Sequence, residues 1–232
     1  MESENVVSTV STVNTVNTVN TVSRVSSAQA MRGLYLVTPD WDDTEHLLKV
    51  TEQALLGGAS LVQYRHKTAD AALRMTQASA LLALCRRYAI PLVINDYSEL
   101  CIALDADGVH VGGTDASVAE VRALLGPNKI VGASCYGDLQ LAHAARQQGA
   151  SYIAFGGFYP SRVKKYPVTT APHIIAQSRI EIDLPIVVIG GMTADNAQPL
   201  VQQGADMVAA ISSVFSAADP RLAAQQIVAL FG

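Results

Sequence analysis

From Gly33 onward, short β-branched runs alternate with longer amphipathic stretches, and the alternation repeats eight times before the chain ends. This rhythm constrains the fold more tightly than any single motif. Strands are expected at Leu34–Thr38, Leu61–Arg65, Leu92–Asn95, Gly108–Val111, Ile130–Ser134, Tyr152–Gly156, Ile186–Gly190 and Met207–Ser212. The spacing predicts helices between them, among others Thr44–Leu56, Ala71–Tyr88, Leu139–Gln148 and Leu222–Leu230; Val50, Ala54 and Leu55 show the helical period. Glycine follows several of these stretches, as at Gly57-Gly58, Gly149 and Gly204. Ile186-Val187-Val188-Ile189 is apolar throughout, as a parallel strand covered on both faces must be. Such a pattern closes into one α/β domain, a (β/α)8 or TIM barrel. An open doubly wound sheet is the alternative, but it wants a G-x-G-x-x-G turn after its first strand. Here that strand ends in Thr38-Pro39-Asp40.

The chain has 232 residues, half of them hydrophobic, enough for one sizeable core. A net charge of -4 gives no global field for nucleic acid or an anionic membrane, so neither is expected as a partner. Small anionic ligands must be held by local groups. Cys85, Cys101 and Cys135 are odd in number and form no C-x-x-C pair, which argues against a disulfide framework or a zinc site and fits a reducing cytoplasm. Apolar runs are short and end in Gly, Pro or charge, so no membrane span is expected. Oligomeric state is left open, a homo-oligomer included. Residues 1–29 stand apart from the barrel domain at 30–232. From Val6 to Ser27 they repeat Ser-Thr-Val and Asn-Thr-Val triplets, a period that suits neither a helix face nor a strand face. Polar residues interrupt every apolar stretch, unlike a signal peptide. A disordered low-complexity tail is expected, with a sticky β-like segment as the lesser alternative.

In a (β/α)8 barrel the functional residues stand at the C-terminal ends of the strands. The second strand runs into Gln63-Tyr64-Arg65-His66-Lys67, and alternation puts an amide and two cations, Gln63, Arg65 and Lys67, on one side. Such a set binds a diphosphate, although a solvated strand end is an equal reading. Asn95-Asp96 ends the third strand and Asp115 follows the fourth, so two carboxylates can share one Mg2+. Each Asp alone reads equally well as a cap or turn residue. His110 reads as structural, and Ser134, without a G-x-S-x-G elbow, as a hydrogen-bond donor. Gly156-Gly157 opens a basic segment that ends in Lys164-Lys165 and suits a lid. Gly190-Gly191 after the seventh strand and Ile211-Ser212-Ser213 after the eighth occupy the recurrent phosphate site of this fold.

Together these segments resemble the thiamine phosphate synthase family over about Gly33 to Phe231. The resemblance rests on Val62-Gln63-Tyr64-Arg65-His66-Lys67, Ile94-Asn95-Asp96, Asp107-Gly108-Val109-His110-Val111-Gly112, Tyr159-Pro160-Ser161-Arg162-Val163-Lys164, Ile189-Gly190-Gly191-Met192-Thr193 and Ala210-Ile211-Ser212. It implies that Gln63, Arg65, Lys67, Asn95, Ser134 and Lys164 bind an aminopyrimidine diphosphate, with Arg65, Lys67, Lys164 and Ser134 acting in catalysis. It implies Mg2+ on Asp96 and Asp115. Ser161 and Val163 would approach a thiazole phosphate whose phosphate rests on Gly191, Ile211 and Ser212, with Gly190 supporting the turn. Four departures stand out: His66 where Glu is common, Tyr64 where Leu is, Gly113 where Gln is, and Ser161 with Val163 in place of two threonines.

The implied partners are small phosphorylated substrates, and the implied reaction makes thiamine phosphate and diphosphate. Diphosphate leaves, the ring amine stabilises the resulting cation, and a thiazole nitrogen attacks it. Rival expectations are a thiazole tautomerase, which would lack the Asp pair and the pyrimidine-binding cations, a sugar- or amino-acid-phosphate isomerase, and a non-catalytic protein that binds thiamine intermediates.

Overall fold

The computed structural model describes residues 31–112, 116–160 and 170–232. Eight parallel strands close into a barrel in sequence order: β1 (Gly33–Val37), β2 (Leu61–Tyr64), β3 (Leu92–Asn95), β4 (Gly108–Val111), β5 (Ile130–Tyr136), β6 (Tyr152–Gly156), β7 (Ile186–Ile189) and β8 (Met207–Ala210). β8 pairs back onto β1 through Gly33↔Met207 to Leu36↔Ala210. The outer helices are α1 (Thr44–Leu56), α2 (Ala71–Arg87), α3 (Ser98–Leu104), α4 (Val118–Leu125), α5 (Leu139–Gln147), α6 (His173–Glu181), α7 (Ala194–Gln202), α8 (Ser212–Phe215) and α9 (Pro220–Val228). The expected tail, residues 1–29, lies outside the described residues.

Strand alternation divides the core into two layers. Leu34, Leu36, Val62, Leu92, Ile94, Val188 and Val208 face outward and pack under the helices. Tyr35, Leu61, Val93, Tyr152, Val187 and Met207 fill the barrel interior. Both sets are almost fully buried, so the strands lack the polar face of a half-exposed sheet.

Where element ends differ from expectation, local backbone chemistry explains the difference. β7 stops at Ile189 because Gly190 takes φ +110, which leaves the strand region. β8 stops at Ala210 because Ile211 already caps α8. β5 runs on to Tyr136 because an irregularity between Ser134 and Tyr136 lets pairing with β6 resume. β2 ends at Tyr64, and the next residue is held by a side chain instead: Thr38 Oγ1 donates to Arg65 O at 2.8 Å and accepts from Arg65 N at 2.7 Å. The last helix starts at Pro220, two residues earlier than expected. Asp219 accepts from Leu222 N there, and proline suits the first helical position.

The N-terminal face of the barrel is tied by acidic residues that finish strand ends. Asp107 Oδ2 accepts from Leu92 N at 2.8 Å, and Asp206 Oδ2 from Ile186 N at 2.7 Å. Arg122 donates to the carbonyls of Gly126, Lys129 and Gly149. These contacts stabilise, and they leave the opposite face to carry the functional groups. Among the described residues, no helix is long and apolar enough to cross a membrane.

Candidate active site

The segment after β2 brings its two cations to the barrel mouth through carboxylates. Asp40, just beyond β1, takes both oxygens to Arg65 Nη1, at 3.0 and 3.1 Å. Its Oδ1 also accepts from Lys67 N at 2.8 Å. Arg65 is 8% exposed, and its Nε is buried without a hydrogen-bond partner among the described residues. An unpaired donor on a desolvated cation costs free energy unless a ligand accepts from it, so it points to an anion site.

Lys67 Nζ donates to Asp96 Oδ2 at 2.6 Å, and Asn95 Nδ2 donates to the same oxygen at 2.6 Å. Asp96 holds φ +66, a region that non-glycine residues enter rarely and at a cost. Its amide donates to His110 O at 2.9 Å, which ties this turn to the end of β4. The two strand ends thus place a carboxylate between an amide and an ammonium. Asp96 also suits Mg2+, a hard cation that needs only one or two protein carboxylates when phosphates and waters complete its shell. Among the described residues there is no group of three or more His, Cys, Asp or Glu side chains built to hold a metal ion. Asp115, the second expected ligand, lies outside the described residues.

Deeper in the barrel, Gln63 Nε2 donates to Tyr35 OH at 2.6 Å and is buried. Tyr35 OH lies 2.7 Å from Tyr152 OH, Tyr152 OH lies 2.9 Å from His110 Nδ1, and His110 Nε2 lies 2.9 Å from Ser134 Oγ. Ser134 has room because Gly112 stands beside it: a Cβ at Gly112 would fall 2.7 Å from Ser134 Cβ. Burial pushes the Tyr35 and Tyr152 hydroxyls well above the usual phenol range.

The third cluster lies at the ends of β7 and β8. Gly191 holds φ +65, and a Cβ there would fall 2.3 Å from Pro160 O. Only glycine allows that approach between the β7 turn and the β6 loop. Asn196 Nδ2 pins Gly191 O at 2.8 Å, and the Thr193–Asn196 capping box fixes α7 behind it. On the neighbouring strand β8, Ile211 turns the chain into α8, which begins at Ser212. Ser213 Oγ is buried without a hydrogen-bond partner among the described residues. A glycine turn facing a helix start is a phosphate-holding arrangement.

Of the expected site residues, Gln63, Arg65, Lys67, Asn95, Asp96, Ser134, Gly190, Gly191, Ile211 and Ser212 all stand at these C-terminal strand ends. Ser161, Val163 and Lys164 lie outside the described residues, as does Gly113. Two departures make their contacts outside this cluster. Tyr64 OH donates to Gln77 Oε1 on α2, and His66 sits between Asp42 Oδ1 and Ala69 N. Sequence reasoning missed Asp40, although the strand-end rule applied to the other strands covers it. It also missed Tyr35 and Tyr152, which read as core aromatics.

Residues 34–214 match the family described as thiamine monophosphate synthase. The chain is similar to a thiamine-phosphate synthase of Janthinobacterium sp. (strain Marseille), 67% identical over 201 residues that cover 87% of this chain and 97% of the relative. A thiamine-phosphate synthase of Thiobacillus denitrificans is 50% identical over 199 residues, 86% of this chain and 94% of the relative. Among solved structures, thiamine phosphate pyrophosphorylase from Pyrococcus furiosus superposes with a TM-score of 0.76 at 29% identity, covering 87% of this chain and 96% of that one. A 3-hexulose-6-phosphate synthase shares the fold, with a TM-score of 0.64 at 17% identity over 86% of this chain and all of that one.

Proposed function

The chain belongs to the thiamine monophosphate synthase family, and from that membership we propose how its barrel mouth carries out the family's condensation. It is a transferase that joins a pyrimidine to a thiazole to make thiamine phosphate. The observation that carries the site assignment is the linked cluster Arg65–Asp40–Lys67–Asp96–Asn95. Two cations and an amide converge there on carboxylates at three neighbouring strand ends.

The donor substrate is an aminopyrimidine with a CH2–O–diphosphate arm. The C–O bond breaks and its electron pair leaves with the diphosphate. The 4-amino group shares the positive charge left on the methylene, and the thiazole nitrogen closes the new C–N bond with its own lone pair. No general base is needed. The protein therefore has two tasks, to stabilise the leaving charge and to place the acceptor. Arg65 and Lys67 serve the first, with Lys164 joining them. Arg65 is already desolvated and held by Asp40, so it needs little reorganisation as charge develops. Asp96 and Asp115 would hold Mg2+, which when bound supplies further positive charge to the diphosphate. Gln63, Asn95 and Ser134 orient the pyrimidine. Gly191, Ile211 and Ser212, with Gly190 behind them, hold the thiazole phosphate, and Ser161 and Val163 approach the thiazole. The three buried free thiols fit a cytoplasmic location.

The test is direct. The protein is mixed with the pyrimidine diphosphate, a thiazole phosphate and Mg2+, and thiamine phosphate and diphosphate are measured. Equal amounts of both products are expected. Diphosphate without thiamine phosphate would mean that water captures the cation and that the acceptor site is misassigned.

A further inference from the structure

Five side chains from five strands form one continuous hydrogen-bonded chain across the barrel: Gln63 on β2, Tyr35 on β1, Tyr152 on β6, His110 on β4 and Ser134 on β5. Its ends, Gln63 and Ser134, are two of the three neutral groups assigned above to the pyrimidine. The three residues between them take no part in the reaction steps above.

Register explains how the middle forms. His110 pairs with Gly132, and Gly132 pairs with Tyr152, so the three lie in one row across β4, β5 and β6. Gly132 has no side chain, and Tyr152 lies across it to stack on His110 with ring centroids 5.6 Å apart and planes 14° apart. Tyr35 meets Tyr152 edge-on from the far side.

Each tyrosine hydroxyl has one hydrogen and a partner on both sides, so with a neutral imidazole the bonds along this chain run consistently in either of two directions. In one, Gln63 N–H donates to Tyr35, Tyr35 to Tyr152, Tyr152 to His110 Nδ1, and His110 Nε2–H to Ser134. Gln63 then turns its carbonyl to a ligand, and Ser134 has its hydroxyl hydrogen to donate. In the other, Ser134 donates inward, every bond reverses, and Gln63 offers its NH2 group instead. A mixed chain sets two lone pairs or two hydrogens against each other inside the barrel, which such a site resists. Gln63 turns Nε2, not its carbonyl, to Tyr35, as the first direction requires.

The two directions recognise opposite rings. A 4-aminopyrimidine has an N–H donor beside ring-nitrogen acceptors, so it wants an acceptor from Gln63 and a donor from Ser134. A 4-oxopyrimidine in its N3–H form has the reverse pattern at the same edge. We propose that Tyr35, Tyr152 and His110 are positioning residues that lock the chain in the first direction, and that they thereby select an amino- over an oxo-substituted pyrimidine diphosphate. This rests on the assignment of Gln63 and Ser134 to the pyrimidine.

Two readouts test it. The first is the histidine tautomer in the ligand-free full chain, read by 15N NMR and assigned by the signal lost in His110→Asn. The expected result is a proton on His110 Nε2 and none on Nδ1, with Tyr152→Phe weakening that preference. A proton on Nδ1 in the wild type overturns the proposal whatever the enzyme does. The second is the ratio of kcat/KM for the 4-amino substrate to that for its 4-oxo analogue. Tyr35→Phe and Tyr152→Phe, checked for folding by near-UV circular dichroism, should each shrink that ratio by about tenfold, the scale of one unmatched buried hydrogen bond. An unchanged ratio in both folded variants overturns selection by the chain. Failure of the wild type to bind either pyrimidine, with the expected tautomer intact, would instead refute the assignment of this site to the pyrimidine.

Discussion

Tyr152 occupies the space that a side chain at Gly132 would need: a Cβ at Gly132 would fall 2.0 Å from Tyr152 Cζ and 2.2 Å from its hydroxyl oxygen. The glycine is therefore a packing requirement of the tyrosine ring. Gly132→Ala should displace the ring and break its contacts with Tyr35 and His110. Overpacking of this kind costs about 1–3 kcal/mol. Melting temperature and turnover should both fall, and an alanine tolerated without loss of either would mean that the ring has another place to go.

The barrel was legible in the sequence because buried parallel strands must be apolar on both faces, and Ile186–Ile189 shows that plainly. Strand ends were less legible. A left-handed glycine such as Gly190 and a side-chain brace such as Thr38 on Arg65 act at single residues, below the resolution of a periodic pattern. Arg65, Lys67 and Asp96 of the candidate site were legible because core packing alone gives no reason to gather cations and carboxylates at strand ends, whereas Asp40 went unread. Tyr35 and Tyr152 were not, because an inward aromatic residue satisfies the core pattern whether or not its hydroxyl is used. Only register across strands brings them to His110.

The Mg2+ assignment makes a separate prediction. Asp96→Asn and Asp115→Asn should each lower turnover by at least tenfold, about 1.4 kcal/mol of barrier. Asp96→Asn also removes one ion pair of Lys67, but that lysine is half exposed and an exposed pair of this kind contributes little to stability. Melting temperature should therefore change little, while the Mg2+ concentration needed for half-maximal rate rises. Wild-type rates for both variants at limiting Mg2+ would exclude the pair as ligands.

The N-terminal repeat is proposed to serve neither the barrel nor the reaction. Deletion of residues 2–27 should leave turnover and melting temperature nearly unchanged. A large drop in either would show that the segment docks on the domain.

Alkaline pH should weaken the fold through its thiols. Burial raises Cys85 and Cys135 from 9.0 to about 12 and Cys101 to about 11. Below pH 9 both folded and unfolded chains keep these protons, and the full stability is present. As pH rises from 9 toward 11–12 the unfolded chain ionises first, so stability is lost at up to about 1.4 kcal/mol per pH unit for each thiol. Buried Tyr35, Tyr64 and Tyr152 add to the loss only above 10. Urea unfolding between pH 8 and 10 should show a decline that is flatter when all three cysteines are changed to alanine. Equal slopes would assign the decline to other groups.

The division of labour at the mouth is the central claim, and single-turnover kinetics test it most directly. Charge on the diphosphate grows toward the transition state, so the loss of a cation should slow the chemistry itself. The thiazole phosphate carries the same charge throughout, so loss of a contact to it should weaken binding and leave the saturated rate nearly intact. Lys67→Met and Lys164→Ala should each lower the single-turnover rate at saturating substrates by at least about tenfold. Ser212→Ala should mainly weaken thiazole phosphate binding, by roughly 1–3 kcal/mol and toward the low end if backbone donors near Gly191 remain. A Ser212→Ala enzyme that is slower at saturation than both lysine variants, or lysine variants that lose only thiazole phosphate affinity, would contradict the account.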